Sequence, residues 1–375
     1  MASVLDPLAF GSLKARNRVF MAPLTRCRAD SDFAPVALNA EYYRQRASAG
    51  LIISEATQIS QQGQGYPNTP GLYSEKQVAG WKHVTDAVHA AGGLMFAQLW
   101  HVGRVSHQMY QPGGAAPVSS SAVAMPGELR LPDGTMAARP VPKALTIEEI
   151  RGVMGDYRKA AENAKRAGFD GVELHGANGY LPDQFLRDGV NGRTDEYGGS
   201  IENRAKFHLQ ALNELVSVWG PGRVGVRLSP SGTFSDMRDS NTKATFGYLI
   251  TEIGRRYHGE LAYQHIMEAM EGDGRHGDGV IAGYEKIPVS YFRPMFKGVL
   301  VTNAGFTFER AQAYLKEGWA DAVAFGVPFI ANPDLPARFA RMASGQMAVA
   351  MNPPDPSTFY GNGAKGYTDY PALVG

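Results

Sequence analysis

The sequence contains a single cysteine, Cys27, among its 375 residues. One thiol cannot form an internal disulfide, and it cannot hold an iron–sulfur cluster, which usually needs four thiolates. We therefore expect Cys27 to be a small buried apolar side chain. The chain also lacks an apolar run of about 18 residues that could span a membrane, and its first residues lack the pattern of a signal peptide. These absences predict a soluble, cytoplasmic protein.

Neither sign of charge is in excess. Lys and Arg total 37 against 36 Asp and Glu, which gives a formal net charge of +1. No basic or acidic run interrupts the sequence, so it lacks the electrostatic signature of a protein that binds nucleic acid or an anionic membrane. We expect no nucleic-acid or membrane partner.

A dinucleotide-binding fold is also excluded by position. The pattern GxGxxG occurs twice, as GDGRHG from Gly272 and as GNGAKG from Gly361. Neither match follows a buried strand and opens a periodic helix, as the fold requires. Both are interpreted as exposed glycine-rich loops.

What the sequence does contain is a regular alternation of short apolar runs and amphipathic segments. Eight runs of this kind have the length and composition of buried strands. They are RVFMAPL from Arg18, LIISEAT from Leu51, LMFAQLW from Leu94, GVELH from Gly171, RVGVRLS from Arg223, ELAYQHI from Glu260, GVLVTNAG from Gly298 and DAVAFG from Asp321.

Helix patterns lie between these strands. The clearest covers residues 146–167, where apolar residues recur every three or four positions and Thr146 with Glu149 forms a capping box. Further helices are predicted over residues 39–49, 75–91, 202–218, 243–257, 307–317 and 333–342.

A strand followed by a helix, repeated eight times, predicts an α/β fold of the (β/α)₈ TIM-barrel type. We expect residues 1–375 to form one such domain. Residues 101–145, which follow the third strand, are rich in Pro, Gly and Ser and are too long for a simple turn. They are predicted to form a hairpin or lid insertion.

Active sites of such barrels lie at the carboxyl ends of the strands. Thr25, Gln98, His175, Arg227 and Gly326 each fall at or just past such an end. Metal-dependent hydrolysis would need more His or carboxylate ligands there than the sequence offers. The set suits a neutral, flat, hydrogen-bonding ligand instead.

Two other catalytic classes fit the sequence poorly. Glycoside hydrolysis needs two facing carboxylates, whereas Glu55 and Glu173 lie inside strand runs and are expected to form internal ion pairs. No GxSxG nucleophile motif occurs.

Motifs in order along the chain resemble the old yellow enzymes, FMN-dependent ene-reductases with a (β/α)₈ fold. They are APLTR from Ala22, QLWH from Gln98, HGANGYLPDQFL from His175, NGRTDEYGGSIENR from Asn191, VRLSP from Val226, FGVPFIANPDL from Phe325 and FYGNGAKGYTDYP from Phe359. The subgroup that these motifs resemble most is typified by pentaerythritol tetranitrate reductase, morphinone reductase and N-ethylmaleimide reductase. The single cysteine is not compatible with the larger relatives that carry an iron–sulfur cluster.

The resemblance implies non-covalent FMN, reduced by NADPH or NADH. Arg227 would lie near the pyrimidine edge of the flavin and raise its reduction potential, and Gln98 would donate to and accept from the same edge. Thr25 would donate to the flavin O4. The implied cofactor-binding set is Pro23, Thr25, Ala56, Gln98, His175, Arg227, Ala304, Gly305, Gly326 and Val327.

The resemblance also implies a catalytic set of His175, Asn178 and Tyr180. His175 and Asn178 would donate to one oxygen of an α,β-unsaturated carbonyl or nitro compound, and flavin N5 would pass hydride to its β-carbon. Tyr180 would protonate the α-carbon. Tyr66, Trp100 and Tyr360 would form the aromatic wall of the substrate pocket.

The implied partners are small-molecule enones and nitroalkenes, with the protein a monomer or weak homodimer. Alternatives are another FMN barrel, one that oxidises 2-hydroxy acids or dihydroorotate, and a flavin- or steroid-binding protein without turnover. The sequence does not distinguish NADPH from NADH, and it does not identify the physiological substrate.

The sequence departs from the family pattern at two places. Ser235 and Asp236 stand where the subgroup commonly has an amide, which predicts added charge near the substrate. Val327 stands where an Arg would bind the FMN phosphate. Arg338 or a base from the 270s loop could replace that cation, and FMN is expected to bind more weakly if neither does.

Overall fold

The structure is a computed structural model that describes residues 2–131, 135–269, 284–345 and 349–373. The GxGxxG match from Gly272 and the base Arg275 lie outside these residues. The match from Gly361 lies in turns and follows a short 3₁₀ helix, Pro356–Thr358, and not a strand. Within the described ranges, no helix is both long and apolar enough to cross a membrane.

Eight parallel strands close into a barrel, as predicted. Each strand pairs with the next along the chain, and the eighth pairs with the first. Almost every strand residue is buried, because side chains of one face fill the barrel and those of the other face pack against helices. The strands are Val19–Met21, Leu51–Ile53, Met95–Trp100, Gly171–His175, Val224–Leu228, Tyr263–Met267, Leu300–Asn303 and Ala322–Phe325.

Helices surround the barrel, and the predicted ones are present within a few residues at each end. Thr146 and Glu149 form the expected capping box. Three short helices were not predicted: Leu181–Leu186, Val289–Phe292 and Val327–Ala331. The others are Ala37–Gln45, Glu75–Ala90, Ile147–Arg166, Ile201–Trp219, Thr242–Arg256, Phe308–Lys316 and Leu335–Ala343.

The amino end of the barrel is closed by a hairpin that the sequence did not predict. Its antiparallel strands, Leu8–Phe10 and Leu13–Ala15, bring Phe10 against aromatic rings inside the barrel. The Phe10 ring centroid lies 5.6 Å from that of Phe20 and 6.4 Å from that of Tyr263. This apolar plug leaves the opposite end as the open one.

Residues 101–145 contain an antiparallel strand pair, Glu128–Arg130 with Met136–Ala138. A parallel pair, Val118–Ser119 with Lys143–Ala144, joins the middle of the insertion to its end, and the antiparallel pair lies between these two strands in the chain.

Candidate active site

A cavity of about 350 Å³ opens at the carboxyl ends of the strands. That volume is in the range of small-molecule sites. Arg227 is the one charged side chain among the described residues that line it. The sequence-predicted residues that line the cavity are Pro23, Thr25, Asn178, Tyr180, Arg227, Ala304, Gly305, Gly326, Val327 and Tyr360.

Three further predicted residues lie directly behind Tyr180. The hydroxyl oxygens of Tyr66 and Tyr180 are 3.2 Å apart, and the Tyr66 ring stacks on Trp100 with centroids 5.6 Å apart. The rings of Trp100 and His175 each lie 5.0 Å from the Tyr180 ring, edge to face. The predicted aromatic wall and the predicted catalytic residues therefore form one cluster.

A tight turn after the fourth strand brings the three predicted catalytic side chains together. Asn178 and Gly179 adopt left-handed backbone conformations, with φ of 58° and 74°. The Asn178 N–H donates to Ser229 Oγ at 2.8 Å, and the Gly179 N–H donates to Asp183 Oδ2 at 2.9 Å. Asp183 also forms a fully buried ion pair with Arg187. This network fixes the turn, so that His175, Asn178 and Tyr180 approach one end of the cavity.

Burial holds the titratable members of this cluster in their neutral forms. It lowers the pKa of His175 well below its ordinary value, and the positive charge of Arg227 adds to the effect. Burial, with the neighbouring Tyr66, raises the pKa of Tyr180 well above the ordinary tyrosine value. At neutral pH the imidazole and the phenol are therefore uncharged hydrogen-bond donors.

Several buried polar atoms around the cavity lack a hydrogen-bond partner among the described residues. They are His175 Nδ1, Asn178 Oδ1 and Trp100 Nε1. Buried polar atoms are nearly always paired, so orphaned atoms at a cavity indicate that a ligand completes them. The residues present thus fit a bound group that carries its own donors and acceptors.

The opposite end of the cavity is built from backbone. Ala304 and Gly305 have φ of 97° and 64°, and a left-handed conformation is unusual for alanine. In the described residues, no backbone hydrogen bond is made by the N–H of Gly305 or Gly326. Free backbone N–H groups from these two neighbouring strand ends are suited to binding a phosphate.

Arg338 does not supply the cation that Val327 lacks. It is buried, pairs with Asp334 and donates to the carbonyls of Ala350 and Pro371. Among the described residues, a base near the backbone cradle is Arg310, whose Nη1 donates to the Ala304 carbonyl at 3.2 Å from outside the cavity. Arg310 is also paired with Glu268.

The expected extra charge near the substrate is not directed at the cavity. Asp236 pairs with Arg238 at 3.0 Å, and the Ser235 carbonyl accepts from Arg104 at 2.9 Å. Of this loop, Phe234 lines the cavity and packs against the Tyr180 ring. The expectation of added charge was therefore wrong, because the charged side chain finds a partner two residues away.

Gln98 and Ala56 are buried but lie outside the cavity lining. Gln98 Nε2 donates to Glu173 Oε1 at 2.7 Å. Glu173 Oε2 also lies 3.0 Å from His265 Nδ1. Burial lowers the pKa of His265, so this contact is a hydrogen bond to a neutral ring and not the expected ion pair. Glu55 accepts from the Tyr43 hydroxyl and the Arg26 backbone, and burial raises its pKa to about 7. Glu55 forms no ion pair with any of the described residues, so the expectation of an internal ion pair at Glu55 was wrong.

Other residues of the lining were not singled out from the sequence. Met267 and Asn303 end the sixth and seventh strands, so their positions alone could have indicated them. Phe306 and Phe359 come from loops, and no local pattern distinguishes them from core aromatics. Cys27 is buried as expected, and burial raises the pKa of its thiol to about 12.

Comparison with known proteins shows which family has this sequence and this fold. Residues 3–344 match the NADH:flavin oxidoreductase / NADH oxidase family. A putative 12-oxophytodienoate reductase 2 of Oryza sativa subsp. japonica is 42% identical over 99% of this chain and 94% of its own length. The 12-oxophytodienoate reductase 2 of Arabidopsis thaliana is 42% identical over 99% of this chain and 96% of its own.

Two solved structures share the whole fold. Morphinone reductase superposes with a TM-score of 0.90 at 48% identity, covering 99% of this chain and 96% of its own. The old yellow enzyme homologue from Zymomonas mobilis gives a TM-score of 0.91 at 44% identity, covering 99% of this chain and all of its own. The chain therefore belongs to the NADH:flavin oxidoreductase family, as an FMN-dependent oxidoreductase of the old yellow enzyme type.

Proposed function

We propose that the protein is an ene-reductase that saturates the double bond of enones and nitroalkenes. In the overall reaction NAD(P)H, the activated alkene and one proton become NAD(P)⁺ and the saturated product. When bound, FMN supplies the hydride for the β-carbon of the substrate. The relatives include reductases of 12-oxophytodienoate and morphinone, which supports this class of reaction.

The observation that carries the proposal is the cluster of neutral donors at one end of the cavity. Asn178 and Tyr180 line this end, and the His175 ring lies 5.0 Å from the Tyr180 ring. The Tyr180 hydroxyl is 3.2 Å from that of Tyr66. Two donors directed at one substrate oxygen stabilise the negative charge that develops there. Because the His175 imidazole is neutral, it polarises the carbonyl by a hydrogen bond and does not first transfer a proton to it.

Tyr180 is proposed to supply the proton for the α-carbon. A phenol held protonated by burial can donate only when negative charge develops on its partner, which couples the proton transfer to the reduction. The Tyr66 hydroxyl lies 3.2 Å from that of Tyr180 and helps to hold the Tyr180 phenol in its protonated form. This arrangement favours turnover over mere binding of a flavin or steroid.

FMN is proposed to extend from Arg227 and the first strand to the backbone cradle at Gly305 and Gly326. Arg227 places a positive charge at the flavin end of the cavity, where it favours the reduced, negatively charged cofactor. A complex of morphinone reductase with tetrahydroNAD supports a nicotinamide as electron donor.

The test is optical. Purified protein reconstituted with FMN should show flavin absorbance that bleaches with NADPH or NADH without oxygen and returns on addition of an enone such as 2-cyclohexenone. The rates of bleaching with the two nicotinamides give the donor preference. A flavin that bleaches but is not reoxidised by enones or nitroalkenes would contradict the proposal, and absence of FMN binding would exclude it altogether.

A further inference from the structure

Beneath the cavity, four buried side chains form a chain of hydrogen bonds across the barrel. Gln98 Nε2 donates to Glu173 Oε1 at 2.7 Å, and His265 Nδ1 lies 3.0 Å from Glu173 Oε2. His265 Nε2 lies 3.1 Å from Asn303 Oδ1. Asn303 lines the cavity, and Gln98 is a predicted contact of the flavin edge. Glu173 therefore links two sides of the cofactor site.

Glu173 occupies this position because of the strand period. It lies two residues before His175 on the same strand, so both side chains point into the barrel. The Glu173 side chain is fully buried, and among the described residues no Arg or Lys forms a salt bridge with it. Burying a carboxylate without Arg or Lys costs several kcal/mol, which purely apolar packing of the barrel would avoid.

The carboxylate determines how its neighbours orient. Gln98 gives its amide N–H to Glu173, so its carbonyl oxygen is directed elsewhere. Burial lowers the pKa of His265, so the ring is neutral and carries one N–H. The carboxylate is the stronger of the two acceptors that face the ring, and it takes that N–H at Nδ1. Nε2 lies 3.1 Å from Asn303 Oδ1, so the orientation of the ring is linked to that of the Asn303 amide, which lines the cavity.

We propose that Glu173 is a positioning residue of the flavin site, acting through Gln98 on one side and through His265 and Asn303 on the other. It fixes which donors and acceptors these amides present to the cofactor. The negative charge of Glu173 is separated from the cofactor by one side chain. It should lower the reduction potential of the flavin, whereas Arg227 raises it. The inference rests on the proposed function of the cavity as an FMN site.

The test compares Glu173→Gln with the wild-type holoenzyme and with Glu252→Gln. Glu252 is a matched control, because it lies on the outer helix Thr242–Arg256 and pairs only with Arg255 and Arg256 in the described structure. Glu173→Gln removes a negative charge and replaces one acceptor with a donor. The midpoint potential of the bound flavin should shift to a more positive value, and its visible absorption bands should move. Glu252→Gln should leave both unchanged.

Glu173→Asp should restore the flavin properties in part, because it keeps the negative charge on a side chain that is one CH₂ group shorter. Its midpoint potential should lie closer to that of the wild type than the Glu173→Gln value does. A purely structural role would lower the melting temperature of both variants and leave the potential and spectrum of the bound flavin as in the wild type. That result in folded, FMN-loaded Glu173→Gln would overturn the inference while the proposed function, tested on the wild type, stands.

A measurement on the wild type covers the case in which Glu173→Gln does not fold. Nitrogen NMR of ¹⁵N-histidine-labelled holoenzyme should show a neutral ring protonated at Nδ1, with a proton slow to exchange because His265 is fully buried. Of the described histidines, His265 is the buried one whose ring contacts a carboxylate, which identifies its signal. The signal should move when the flavin is reduced. An unchanged signal would contradict coupling of the chain to the cofactor.

Discussion

The two ends of the cavity are built in different ways. At one end lie neutral side chains, His175 at the end of the fourth strand and Asn178 and Tyr180 in the braced turn that follows. Tyr180 packs against Trp100, and its hydroxyl lies 3.2 Å from that of Tyr66. At the other end, the groups that face the cavity belong to backbone, around Gly305 and Gly326, and the adjoining side chain is the apolar Val327. We call these the clamp end and the cradle end.

The difference separates catalysis from cofactor affinity. Side-chain donors can be removed one at a time, and their contribution grows as charge develops in the transition state. Backbone N–H groups are kept in every substitution except one to proline, and those at the phosphate act equally on the oxidised and reduced cofactor. Changes at the clamp end should therefore alter the rates of substrate reduction, and changes at the cradle end should alter the dissociation constant of FMN.

The largest expected effect is at the clamp end. Tyr180→Phe removes the proposed proton donor and should slow enone reduction by about 10² to 10⁴, the usual contribution of general acid catalysis. The rate of nitroalkene reduction should fall less, because the reduced product can leave the enzyme as a stable nitronate without a proton from Tyr180. Stopped-flow traces give the rate of flavin reoxidation by each substrate. The rate of flavin reduction by nicotinamide should hardly change.

Tyr66→Phe is the matched control, since it removes the hydroxyl that contacts Tyr180 but not the proton donor itself. The rate of enone reduction should fall less in Tyr66→Phe than in Tyr180→Phe, measured with the same enone. Equal losses for enones and nitroalkenes in Tyr180→Phe would remove Tyr180 from the proton-donor role.

Next in size is the loss of one clamp donor. His175→Ala or Asn178→Ala removes a hydrogen bond to an oxyanion-like partner, worth about 1.5 to 3 kcal/mol. Each should weaken the binding of a phenol, which mimics the polarised substrate oxygen, by roughly ten- to hundredfold. Absorbance titration of the flavin band gives the dissociation constants. Unchanged phenol affinity and enone reduction in His175→Ala would disprove the clamp.

The matching change at the cradle end is Val327→Arg. A charge-assisted hydrogen bond of about 1.5 to 3 kcal/mol to the phosphate should tighten FMN by roughly tenfold or more, with enone reduction by the loaded enzyme unchanged. Val327 is partly exposed, which leaves room for the longer side chain. Val327→Leu controls for volume, and titration of each apoprotein with FMN at low and high salt measures the effect. Equal dissociation constants for all three forms would mean that the backbone suffices.

Features set by a local run of residues could be predicted from the sequence, and features set by contacts between distant residues could not. The eight strands were predictable because each is a short apolar run, and the clamp residues could be proposed together because they lie within six positions of one motif. The hairpin from Leu8 to Ala15 escaped prediction, since strands of three residues show almost no period. The pairing of Glu173 with His265 joins residues 92 positions apart, and only closure of the barrel brings them together.

Side-chain orientation was equally beyond a local pattern. Asp236 was placed correctly in the loop that contributes Phe234 to the cavity, yet its carboxylate turns to Arg238. Arg338 was a candidate for the phosphate, but the carbonyls of Ala350 and Pro371 hold its guanidinium elsewhere. In both cases a competing partner, visible only in the fold, decides the direction.

The smallest expected effect is the pH dependence of the clamp. Because the pKa of His175 is lowered well below about 6.5 and that of Tyr180 is raised above about 10, neither group titrates between about pH 6 and 9. His175 stays neutral as pH rises from 6, and Tyr180 stays protonated up to 9, so the rate of flavin reoxidation by an enone should be nearly constant. At the cradle end, in contrast, FMN should bind more tightly as its phosphate loses a second proton near about pH 6. Stopped-flow rates and FMN titrations over the same buffers test both statements. A reoxidation rate that changes with a midpoint near pH 6.5, and loses that midpoint in His175→Gln, would show a charged clamp and contradict the distinction between the two ends.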